Sequence, residues 1–136
     1  MRYQCQVLIN DEISRVTTIF LDPTHRPKWQ TNLKAIKPLE KDHGFILTFK
    51  DRDHTFEMKE TIKDNHLPNS VTTIYEVPGV YNECKHNFST TPKGTLWTMD
   101  VLFEFEDQPF QKEEDFICKT QSGMQLYKRY IENLEY

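Results

Sequence analysis

The segment Thr95-Leu96-Trp97-Thr98-Met99-Asp100-Val101-Leu102-Phe103-Glu104-Phe105 constrains this chain more than any other. Every odd position from Trp97 to Phe105 is large and apolar, while Thr98, Asp100 and Glu104 between them are polar or charged. Side chains alternate faces along a strand, so the segment reads as one long strand with a wet face and an apolar face. A face bearing Trp97, Met99, Val101, Phe103 and Phe105 must be covered. In so short a chain the cover is a helix, a ligand, or both.

The 136 residues fit one domain, spanning 1–136. A domain of that length buries roughly two-thirds of its unfolded surface, enough for a core without staples. The 17 basic and 21 acidic residues are interspersed, with a net charge of −4. No basic block tracks phosphates, which argues against a nucleic-acid partner. Cys5, Cys84 and Cys118 are odd in number and widely spaced, so reduced thiols are expected rather than a disulfide framework. The five His and three Cys show no metal-ligand spacing; no metal site and no cofactor are expected. Met1-Arg2-Tyr3-Gln4 opens no apolar run of signal length. No stretch approaches the ~20 apolar residues of a membrane helix. A cytoplasmic protein without an integral membrane segment is therefore expected.

Residues 2–10 read as a strand with Tyr3, Cys5, Val7 and Ile9 on one face. Asp11 is expected to cap a helix carrying Ile13, Val16 and Phe20, although the β-branched run Val16-Thr17-Thr18-Ile19 disfavours it. Pro23 and Pro27 break that helix, and a short second one is expected to carry Trp29 and Leu33. Turn signals then recur at hairpin spacing: Asp42-His43-Gly44, Asp51-Arg52-Asp53, Asn65 to Asn69, Pro78-Gly79 and Pro92-Lys93-Gly94. After Pro109, residues Phe116, Thr120, Gly123, Met124, Tyr127, Ile131 and Leu134 form a helical stripe. The stripe predicts a terminal helix over roughly 112–135.

The order β-α-α-β-β-β-β-β-β-α is explained by an α+β fold in which a curved antiparallel sheet of seven strands closes round the C-terminal helix. The chain resembles, over its whole length, the helix-grip fold of the START-related superfamily of lipid-transfer, pollen-allergen and polyketide-cyclase proteins. The resemblance rests on element order and on local phrases. These are the opening strand with its Asp11–Asp22 helix and Pro23…Trp29, Leu67-Pro68 between two strands, Thr95-Leu96-Trp97 opening the last strand, and a Met-bearing terminal helix. None of these is a catalytic motif. The resemblance implies a fold and an aromatic at Trp29 near a pocket mouth, and it singles out no one activity.

Hairpin turns fix register and register fixes neighbours. With the large apolar residues taken as the inner face, the expected rows are Phe45-Glu60-Thr73-Cys84-Val101, Leu47-Met58-Tyr75-Asn82-Phe103 and Ile62-Val71-His86-Met99. Polar groups thus stand among apolar ones, the usual composition of a small-molecule pocket. The expected site gathers Trp29, Phe56, Met58, Glu60, Thr73, Tyr75, Cys84, His86, Trp97, Met99, Met124 and Tyr127, around a cavity of roughly a few hundred Å³. Within that group, Glu60 has two opposed readings. Buried without a partner, a carboxylate has a raised pKa and can orient a ligand or move a proton; in a salt bridge it is structural. Glu60 and His86 in one cavity could act together as acid and base, but neither a nucleophile nor an oxyanion hole is legible. Gly123 lies on the stripe facing the sheet, where a missing side chain leaves either a close approach or a void. The expected function is binding of a small apolar or amphipathic molecule. The resemblance implies two alternatives: a cofactor-independent cyclase or dehydratase using the same cavity, and a protein-interaction module of the chaperone-cofactor kind, for which Leu96 and Leu102 on the otherwise polar face of the last strand are the one hint.

Overall fold

The computed structural model describes residues 1–135. Strand β1 (Arg2–Ile9) is followed by helices α1 (Ile13–Phe20) and α2 (Arg26–Trp29). Strands β2 (Leu33–Pro38), β3 (Gly44–Asp51), β4 (His54–His66), β5 (Ser70–Val77), β6 (Val80–Thr91) and β7 (Gly94–Phe105) come next, and helix α3 (Glu113–Asn133) ends the chain. The sheet is antiparallel throughout, in the order β1-β7-β6-β5-β4-β3-β2. This is the seven-stranded grip that the alternating strand and the terminal stripe imply.

Three local expectations need correction. Asp11 does not cap α1. The N-cap is Glu12, without a side-chain capping bond, while Asp11 accepts the Glu12 N–H at 2.7 Å and an Arg15 guanidinium N–H at 3.1 Å. Pro27 does not end α1, which stops at Phe20, but sits in the first turn of α2, where a missing N–H costs nothing and the fixed φ suits a helix. Leu33 lies beyond that helix and opens β2. α1 forms despite its β-branched run because its packed face overrides propensity: Val16, Thr17 and Phe20 are buried, and the Thr17 hydroxyl is absorbed by the Ile13 carbonyl at 2.8 Å.

The rows hold across β3–β4, β5–β6 and β6–β7, with Phe45 opposite Glu60, Thr73 opposite Cys84 and Cys84 opposite Val101. They fail across β4–β5. Glu60 stands opposite Tyr75, not Thr73, and Thr73 stands opposite Ile62. The strands run further into the turn than the Asn65–Asn69 signal suggests. A bulge between Lys63 and His66 takes up the difference, with Asp64 at φ 49°. The slip is two residues, so every side chain keeps its face and changes its neighbour.

α3 packs its Met124, Tyr127 and Ile131 face into the core beside Val7, Ile9, Val16, Phe20 and Trp97. Its side chains also tie down the open edge of β1. Gln121 donates to the Gln6 carbonyl at 3.1 Å, Lys128 to the Leu8 carbonyl at 2.7 Å, and Glu132 accepts the Asn10 N–H at 2.7 Å. The other edge, β2, exposes Lys34, Lys37 and Pro38, residues that discourage a further strand. Among the described residues no helix is long and apolar enough to cross a membrane.

Candidate functional site

A cavity of about 180 Å³ lies between α1, α2, the sheet and α3. Its apolar wall is Phe20, Leu21, Trp29, Trp97, Met99 and Met124, and Gly123 of α3 borders it. A Cβ built on Gly123 would meet nothing within 4 Å, so the void reading of that glycine holds. The polar wall is Arg26, Gln30, Tyr75, Cys84 and His86, while Lys119 and Thr120 border it from the first turns of α3. Lys119 is exposed, so the cavity reaches the surface there.

Glu60 is fully buried, and it has a partner. Arg26, 2 % exposed, donates through both Nη atoms to the two carboxylate oxygens at 3.0 Å each. Its Nε donates to the Gln30 side-chain oxygen at 2.7 Å. Burial by itself pulls the Arg26 pKa down; the adjacent Glu60 carboxylate reverses this and the net direction is up. Of the two readings of Glu60, the salt bridge is the one in the structure. Arg26 borders the cavity and Glu60 stands behind it.

His86 is equally committed. The Trp97 indole N–H donates to its Nδ1 at 3.1 Å. An indole N–H can only donate, so Nδ1 must be the acceptor. The ring proton is then on Nε2, which lies 2.9 Å from the Thr73 hydroxyl and donates to it. Desolvation, with the Arg26 charge as a lesser cause, pulls the His86 pKa down to about 3. The imidazole is a neutral, doubly hydrogen-bonded part of the wall. Cys84 gives its thiol hydrogen to Asn82 Oδ1 at 3.6 Å, and burial pushes its pKa up to about 12. Burial, then the Glu60 charge, holds the Tyr75 phenol well above its ordinary value. Tyr75 therefore stays a hydrogen-bond donor.

Of the residues singled out from the sequence, Trp29, Tyr75, Cys84, His86, Trp97, Met99 and Met124 line the cavity. Glu60 and Thr73 support it from behind, through Arg26 and His86. Tyr127 is sealed in the core. Its hydroxyl donates to the Val16 carbonyl at 2.5 Å, and its ring packs on Trp29, Phe20 and Trp97 with centroids 4.8, 5.5 and 5.6 Å away. Phe56 and Met58 lie outside the lining. Phe56 stacks on Phe49 and His54 at the far end of the β3–β4 hairpin, and Met58 pairs with Leu47. Sequence reasoning missed Arg26, Gln30, Phe20 and Leu21. A signal for Arg26 existed: it stands three residues before Trp29, hence on the same side of a helix, and a carboxylate facing inward needs a base.

No protein-family model matches the sequence, and no curated protein matches it. Solved structures do match in three dimensions. The crystal structure of Ara h 8.0201 superposes at a TM-score of 0.80 with 12% identity, covering 98% of this chain and 99% of that one. A START superfamily protein from Mycobacterium smegmatis gives 0.77 with 13% identity, over 98% and 99% of the two chains. The di-domain ARO/CYC StfQ of the steffimycin biosynthetic pathway gives 0.76 with 9% identity, over 96% of this chain and 50% of that one. Identities this low speak for architecture alone. The chain has the helix-grip fold that these structures share.

Proposed function

We propose that the chain binds a small apolar or amphipathic molecule in the cavity between the sheet and α3. The observation that carries this reading is the unfilled space over Gly123, walled by Trp97, Met99 and Met124. Protein interiors are close-packed, and an apolar void of about 150 Å³ is enough to take up a benzene-sized molecule. The polar groups of the wall support binding over acid–base chemistry. Glu60 is held by Arg26, His86 is locked neutral by Trp97 and Thr73, and the Cys84 thiol is far from ionisation near neutral pH. A cyclase- or dehydratase-like role would need one of these groups released. The test is a titration with small apolar aromatics, followed through the fluorescence of Trp29 and Trp97. A saturable change is expected, and its absence for every compound from one to two rings overturns the proposal.

A further inference from the structure

The polar wall of the cavity is rich in donors and already balanced in charge. Arg26 is the one cation of that wall that is buried, and its guanidinium is neutralised by a bidentate carboxylate, Glu60. His86 carries no charge, its two ring nitrogens being engaged by Trp97 and Thr73. Tyr75 and Cys84 both keep their protons. A ligand carboxylate seated against this wall would bring a second negative charge to a guanidinium that already has one. Burying a charge without its own counter-ion is costly. Lys119 does not change this, because it is exposed, and an ion pair with an exposed ammonium is weak and screened. A neutral oxygen meets no such penalty. It can accept from the Tyr75 hydroxyl, or from the guanidinium N–H groups of Arg26 that the three bonds to Glu60 and Gln30 leave unused.

We infer that the cavity selects an uncharged molecule of about one aromatic ring carrying a carbonyl-type acceptor oxygen, and discriminates against the carboxylate of the same shape. The ring faces Met99, Met124 and the space over Gly123, and the oxygen faces Tyr75 and Arg26. This rests on the cavity being a binding site, as proposed above, and adds the charge and polarity of what enters.

Three probes of similar size separate the two readings: ethylbenzene, acetophenone and benzoate, each titrated near neutral pH. The two indole N–H signals of the ¹⁵N-labelled protein, from Trp29 and Trp97, report binding. Ethylbenzene is expected to bind, and acetophenone about fivefold more tightly, the increment of one neutral hydrogen bond. Benzoate is expected to bind at least about tenfold more weakly than acetophenone. Tyr75→Phe should lower the affinity ratio of acetophenone to ethylbenzene from about fivefold towards one. Benzoate binding as tightly as acetophenone overturns the inference while the binding reading stands. Equal losses for ethylbenzene and acetophenone in Tyr75→Phe also overturn it, since the hydroxyl then acts only in packing. No saturable shift with any of the three overturns the binding reading itself.

Discussion

Glu60 and Arg26 stand 34 residues apart in sequence, yet they form one two-pronged contact in the interior. A buried pair is held less by its net stability than by the penalty for breaking it. Glu60→Gln leaves the guanidinium with no counter-charge, and we predict a loss of about 3–5 kcal/mol in urea unfolding at neutral pH. The double variant Arg26→Met/Glu60→Leu should recover most of that loss, because it buries no charge at all. A Glu60→Gln protein as stable as wild type would show that the carboxylate carries no charge in the fold. His86 gives the pH dependence. Its folded pKa of about 3 lies below the ordinary value of 6.5, so the unfolded chain binds a proton that the folded one refuses between those limits. The stability from the neutral imidazole is therefore complete above about pH 6.5 and falls as pH drops towards the folded value. Between pH 7 and pH 5, wild type should lose about 2 kcal/mol more than His86→Gln; parallel curves for the two proteins would refute the assignment. Both residues were legible in the sequence as inward-facing, since alternation fixes the face. Their partners were not, because a face says nothing of which side chains on it, or on the elements packed against it, bond to one another. Arg26 comes from a four-residue helix placed by a proline, and Thr73 comes to His86 on the strand next to it.

At the scale of elements, the long strand β7 and the stripe on α3 carry most of what the sequence reveals. Their periods, two and 3.6, are unmistakable over the 12 and 21 residues they occupy. The β4–β5 hairpin shows where such reading ends. Composition marks the turn to within two residues, and a bulge consumes that margin without leaving a period of its own. Gly44, at the start of β3, has a sharper role: a Cβ there would lie 2.0 Å from the Glu60 carbonyl oxygen. A side chain would push β3 away from the strand that holds the buried carboxylate. Gly123 is the opposite case. Its site on α3 is open, and glycine in a helix interior costs up to about 1 kcal/mol relative to alanine. Gly123→Ala should therefore raise stability by about 0.5–1 kcal/mol with ligand binding weakened only modestly. Gly123→Leu should fold and abolish saturable binding of one-ring aromatics by occupying the space they use. Gly123→Ala melting below wild type would mean that α3 must approach the sheet more closely than the open space suggests.

For the whole molecule, the cavity lies beside the cluster that joins all the layers. Phe20 of α1 packs against His86, Phe88 and Trp97 of the sheet and Tyr127 of α3, with ring centroids 4.8, 5.3, 5.2 and 5.5 Å apart. Phe20 and Trp97 also face the void. A molecule that fills it touches α1, α3 and the sheet at once, and so binds only the assembled fold. Linkage then sets the size of the effect. A ligand present at 100 times its dissociation constant stabilises by about 2.7 kcal/mol if it binds the native state alone. In a domain of this length, that corresponds to a rise in melting temperature of roughly 5–11 °C. Acetophenone near saturation should produce a shift of this order in wild type. The same concentration should leave the melting temperature of Gly123→Leu unchanged, because the side chain has taken the ligand's place. Surface adsorption would shift both proteins alike, or lower both melting temperatures by binding the unfolded chain. A shift of similar size in wild type and Gly123→Leu would therefore place the ligand outside the cavity, whatever its affinity.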